Sequence, residues 1–174
     1  MRRVSLLAVA ALCLTLNGPA AAQEALSEPV QVSHVSGKPV PRFEALRFAA
    51  VNGRLGPSED HPIAWRYERA GLPMLIVKET SNWRFVRDPD GDEVWVHARM
   101  LAPAHTAMAR EAVGVFSKPD PQSRVLATLE IGAMVSLGRC EAGYCHVEAG
   151  HVAGWAALPA LWGAGLESGA DAAS

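Results

Sequence analysis

An all-β protein of two small antiparallel barrels in tandem, following a cleaved export signal, is the architecture this sequence predicts. Three observations carry that expectation. A stretch of about fifty residues occurs twice, Val51 to Leu101 and Val113 to Leu161, and two copies are too few for a solenoid, so each should be a small domain. Each copy breaks into short apolar or alternating runs separated by Gly, Pro and Asp turns, the pattern of short strands. No stretch after the leader carries a convincing long helical pattern. The copies register through Pro57 and Pro119, Gly71 and Gly132, Trp83 and Tyr144, Val86 and Val147, Trp95 and Trp155, and Leu101 and Leu161.

Residues 1–22 read as a signal peptide. Met1-Arg2-Arg3 is a basic start, Val4 to Leu16 is an apolar run, and the alanines after Pro19 supply an A-x-A exit, so cleavage is expected after Ala22. The apolar run falls short of the ~20 residues that span a bilayer, which argues against lasting membrane insertion. Cys13 sits deep in that run behind Leu12, a poor setting for a lipid anchor. The expected location is therefore periplasmic or secreted, where disulfides persist. Loss of Arg2 and Arg3 takes the formal charge from −2 to −4. With no basic run, the phosphate attraction that nucleic-acid binding needs is missing.

Residues 23–41 are small and polar with three prolines and are expected to be a flexible leader. The first barrel is placed at 42–101. Within it Pro73 to Glu79 is apolar and partly β-branched, Asn82 to Asp88 and Asp92 to His97 alternate, and Asp88-Pro89-Asp90-Gly91 forms a tight turn whose glycine takes positive φ. Alanine-rich 102–111 reads as a linker with room for one helical turn, Pro103 opposing a longer one. The second barrel is placed at 112–163 and a flexible tail at 164–174.

Cys140 and Cys145 flank the loop Glu141-Ala142-Gly143-Tyr144, which the repeat frame puts at a hairpin tip. Opposed residues of an antiparallel pair have Cα atoms ~4.5–5.5 Å apart, within a disulfide's reach. A zinc site from Cys140, Cys145, His146 and His151 is the competing reading. It is disfavoured because adjacent residues 145 and 146 point to opposite faces of a strand. The spacing is not C-x-x-C, so a redox motif is not indicated.

Little else suggests chemistry. Counting from Asp88, the sixth residue is Glu93 and the twelfth Arg99, which fails the calcium-loop pattern. His34, His61, His97 and His105 are scattered, and no serine lies in G-x-S-x-G. No cofactor, no metal and no catalysis are expected.

Asn52, Arg54, Gly56 and Pro57, then HPIAW (61–65), RAGLP (69–73), NWRFVRD (82–88) and WVH (95–97) resemble bacterial SH3 domains. More narrowly, the chain is similar to an exported bacterial SH3-like family with two copies, the second carrying a cysteine pair and ending in Leu-Trp-Gly, here Leu161-Trp162-Gly163. Val94 stands where the family has glycine, and the second copy lacks the Arg-x-Gly-Pro turn. The resemblance implies extended-peptide binding on an aromatic surface. A groove on the first copy is accordingly expected from Trp65, Tyr67 and Trp83, with Arg66 and Arg84 at its rim. Trp95 and Trp155, present in both copies, are expected in the cores. The expected partner is a peptide or cell-wall component, the alternative a scaffold holding a folded envelope protein.

Overall fold

The computed structural model describes residues 30–165, so the signal peptide with its Ala22 cleavage point, and all of the tail beyond Gly165, lie outside the described residues. The chain is all-β. A two-stranded hairpin, β1 (Gln31–Val32) and β2 (Pro39–Val40), leads into the first barrel: β3 (Arg42–Leu46), β4 (Val51–Arg54), β5 (Ile63–Tyr67), β6 (Pro73–Glu79), β7 (Trp83–Arg87), β8 (Glu93–His97) and β9 (Leu101–Pro103). The second comprises β10 (Thr106–Ala109), β11 (Val113–Phe116), β12 (Val125–Leu129), β13 (Met134–Glu141), β14 (Tyr144–Ala149), β15 (Val152–Ala157) and β16 (Leu161–Trp162). Each barrel is one curled antiparallel sheet, ordered β5-β4-β8-β7-β6-β3-β9 and β12-β11-β15-β14-β13-β10-β16. The orders are the same, strand for strand.

The expected bounds of β6 hold to the residue, and β7 and β8 fall inside the two alternating runs. Inward side chains on alternate positions build each core. Leu46, Val51, Met74, Ile76, Val86, Val94, Val96 and Leu101 fill the first barrel. Val113, Val115, Leu129, Val135, Cys145, Val147 and Leu161, with several alanines, fill the second.

Two segments differ from expectation. The stretch 102–111 is mostly not a linker or a helical turn: Ala102 and Pro103 pair with β3, and β10 lies between β13 and β16. Ala107 and Ala109 are fully buried, because a strand enclosed on both edges over a narrow core favours small side chains. The leader is structured from Gln31 on, where Gln31 faces Val40 and Val32 faces Pro39. An ionic clasp holds this hairpin. Glu79 accepts from the Arg42 guanidinium, from Ser36 Oγ at 2.6 Å and lies 3.1 Å from Arg84 Nε, while Arg42 Nη1 also donates to the Pro39 carbonyl at 3.1 Å.

The second barrel solves the same problem covalently. Cys140 and Cys145 are directly opposed on β13 and β14 with Cα atoms 4.0 Å apart and are disulfide-bonded. Ala142 and Gly143 between them both have positive φ, 50° and 79°, as a two-residue hairpin turn requires. In the repeat frame Cys140 and Cys145 occupy the places of Glu79 and Arg84, which are also directly opposed. Changing both cysteines to alanine is expected to cost about 2 kcal/mol, since the closed loop is short. The urea midpoint of the oxidised protein against the double variant checks this; equal midpoints would contradict it.

The barrels are docked through apolar contact. Phe43, Ala45 and Leu75 of the first, Ala104 between them and Trp162 of the second form one buried cluster. Trp162 Nε1 donates to the Pro73 carbonyl at 2.9 Å and its ring meets Phe43 edge-on at 5.1 Å. Thr106 Oγ1 donates to the Gly71 carbonyl at 2.5 Å. Gly163 sits at φ +103°, and a Cβ there would meet the Thr106 carbonyl oxygen and the Pro73 ring within 3 Å. The chain therefore needs glycine after Trp162.

Candidate functional site

The five residues expected to form a groove do not come together as one. Trp65 is half exposed at 51 % on edge strand β5, and Arg66 beside it is exposed, 3.4 Å from Glu68. Tyr67 turns inward against the core, its hydroxyl donating to Asp88 Oδ2 at 3.1 Å. Burial, then the Asp88 charge, push the Tyr67 phenol far above its ordinary range. Trp83 is 8 % exposed and packed edge-on against His97 at 5.2 Å. Arg84 is spent on Glu79 and on the Thr80 and Trp83 carbonyls. Trp83, Arg84 and Tyr67 are structural, which corrects the expected groove.

A different surface gathers aromatic and cationic side chains. Val94 and Val96 face the core of the first barrel, so Trp95 between them faces outward. Its cross-strand partners are Phe85 on β7 and Arg54 on β4; Phe85 faces Lys78 on β6, and Arg54 faces Ile63 on β5. Ile63, Arg54, Trp95, Phe85 and Lys78 thus form one row across five strands. The Phe85 and Trp95 rings are 5.1 Å apart, and Lys78 Nζ lies 5.7 Å from the Phe85 ring. Beside Lys78 the row runs into a cleft of about 660 Å³ between the hairpin and the barrel, lined by Val32, His34, Val40, Val77, Lys78 and Trp95 among others.

The second barrel repeats the row as Val125, Phe116, Trp155, His146 and Arg139, but closes it. Phe116 pairs with Trp155 and Trp155 with His146. The His146 ring is edge-on to Trp155 at 5.5 Å, and the Arg139 guanidinium covers Trp155 at 5.1 Å while lying 3.7 Å from Glu141. Trp155 is left 6 % exposed. Neither repeated tryptophan is in a barrel core, against expectation: Trp155 is buried by outer-face neighbours, and Trp95 is only half-buried. The repeat itself carried the missed signal, since Trp95 and Trp155 share one register position and the cations Lys78 and Arg139 share another, Lys78 lying over Phe85 and Arg139 over Trp155.

The perturbed titratable groups are all in structural roles. Burial pushes the Asp88 carboxyl up, although the Asp90 and Asp92 amides donate to Oδ1 at 3.0 and 2.9 Å and fix the 88–92 turn. Burial, then the Arg99 charge, hold His97 down, and its Nδ1 accepts from the Arg99 amide at 3.2 Å. Among the described residues no group of three or more His, Cys, Asp or Glu is placed to hold a metal ion.

Solved structures with some likeness are NlpC2 from Trichomonas vaginalis (TM-score 0.33, 11 % identity, covering 70 % of this chain and 48 % of that one) and NlpC1 from the same organism (0.32, 12 %, 76 % and 48 %). This chain thus spans about half the length of each. No curated protein matches. The model of the family described as bacterial SH3 domain matches twice, over residues 49–103 and 109–163, the two units the sheet topology separates. The chain belongs to the bacterial SH3 domain family, in tandem.

Proposed function

We propose that this is an exported, non-catalytic binding protein of the cell envelope that recognises an extended peptide on the outer face of its first barrel. One observation carries the reading: the same row is built twice, and only in the first barrel is its tryptophan left open, beside a cleft of ligand size. The half-buried Trp95–Phe85 pair offers rigid apolar area of the kind that grips extended peptides. The disulfide supports an oxidising compartment, in keeping with the signal pattern at the N-terminus. The groups with shifted pKa are committed to turns and clasps, which favours binding over catalysis.

Trp95→Ala is expected to weaken peptide binding about 10- to 30-fold, the loss associated with a central aromatic anchor, with little change in the unfolding midpoint because the ring is outside the core. Calorimetric titration with and without the substitution checks this; unchanged affinity would contradict it. Co-sedimentation with purified cell-wall sacculi tells a cell-wall peptide from a protein segment. A second reading, a scaffold for a folded partner, is favoured by half-exposed Ile63 and Trp65 with exposed Leu55 near edge strand β5. Stoichiometric copurification that is lost with Trp65→Ser but not with Trp95→Ala would support it.

A further inference from the structure

From the charges along the open row we infer the class of peptide it takes: an extended polypeptide segment with two carboxylates four residues apart, flanking an apolar centre. This rests on the peptide reading above. Two cations bracket the aromatic pair, Arg54 next to Trp95 and Lys78 next to Phe85. Neither has an ion-pair partner among the described residues. Arg54 spends one donor on the His61 carbonyl, Nη1 to O at 2.7 Å, which fixes its position and leaves its charge uncompensated. The acidic neighbour of Lys78, Glu79, is already neutralised by Arg42 and Arg84. In a chain of net negative charge, this face is locally cationic.

Spacing sets the length. Arg54 and Lys78 are three inter-strand steps apart, about 14 Å, and the whole row spans about 19 Å. An extended chain advances about 3.3 Å per residue with side chains alternating. Carboxylates at positions i and i+4 therefore lie about 13 Å apart on one side, with residue i+2 over the Trp95–Phe85 pair. A β-branched apolar centre suits that surface because it favours the extended, alternating chain on which this spacing depends. The second barrel has no such pattern: Phe116 replaces Arg54, and Arg139 is folded onto Trp155 beside Glu141.

The test uses the mature protein and acetyl-Glu-Thr-Val-Thr-Glu-amide, with versions carrying Gln or Lys at both Glu positions and a shortened Glu-Val-Glu version. The acidic five-residue peptide should bind best and weaken with added salt, and the Gln version should lose about fivefold per carboxylate. Lys78→Glu, an exposed site that keeps the fold, should reject the acidic peptide and improve binding of the Lys version. Equal binding of the acidic and Gln peptides, still abolished by Trp95→Ala, overturns the charge pattern and leaves the peptide reading standing. Equal binding of the shortened peptide overturns the spacing. Failure of every peptide, with binding to sacculi instead, overturns this inference in favour of a cell-wall ligand.

Discussion

Trp162→Ala is expected to destabilise the protein by about 3–5 kcal/mol, the range for removing a large buried aromatic. The ring is 4 % exposed in the cluster that joins the barrels, edge-on to Phe43, with the Arg110 guanidinium 5.6 Å from its centre. Truncation empties that cluster and leaves the buried Pro73 carbonyl without its indole donor. Trp162→Phe should keep most of the packing and lose only the hydrogen bond, about 1 kcal/mol. Denaturant unfolding of both variants separates the two contributions. An alanine variant as stable as the parent would show that the barrels do not depend on each other.

The second large effect is at Glu79. Its side chain is 1 % exposed and is shared by Arg42, Arg84 and Ser36. Glu79→Gln leaves the nearly buried Arg84 without a carboxylate and the buried Arg42 with Glu44 alone, 2.9 Å away, and breaking one partner out of a buried pair costs up to about 3–5 kcal/mol. The hairpin 31–40 should come loose first, since Ser36 and the Pro39 carbonyl are tied to this cluster. The pH dependence has a definite sign. Burial alone would raise the Glu79 carboxyl, but hydrogen bonds from Ser33, Ser36 and Arg42 and the Arg42 charge outweigh it and leave it below its ordinary value. The clasp's contribution is therefore complete above the ordinary glutamate pKa and lost as pH falls through the lowered folded value. The protection factor of the Ser33 amide, whose N–H donates to the Lys38 carbonyl, should fall over that acidic window in the parent and be low at all pH in Glu79→Gln. Protection at Ser33 that ignores both pH and the substitution would contradict the clasp.

Much of this fold was legible because local signals agreed. The run 73–79 is long, apolar and bounded by Pro and Thr, and Asp88 to Gly91 carries its own turn chemistry, so bounds and turn were both readable. The cysteines were readable because one hairpin frame served both copies. The faces were not. In Glu93-Val94-Trp95-Val96-His97 the centre is apolar at every position, so period-two alternation cannot say whether the valines or the tryptophan point inward. Burial of Trp83 depends on His97 from the neighbouring strand, and the order in 31–40 depends on Glu79, 43 residues beyond Ser36. Neither dependence leaves a local trace. The strands hidden in 102–109 pair over long range with β3, β13 and β16, which local composition does not reveal.

Ligand binding on the open row of the first barrel, as proposed above, is directly observable through its tryptophan. The chain has five tryptophans, and each indole N–H gives its own signal in a proton–nitrogen correlation spectrum. Titration with the acidic five-residue peptide is predicted to move the Trp95 indole and the Phe85 and Lys78 amides, leaving Trp155 and Trp162 in place. Shifts centred on Trp65, or on Trp155 in the closed row, would contradict it.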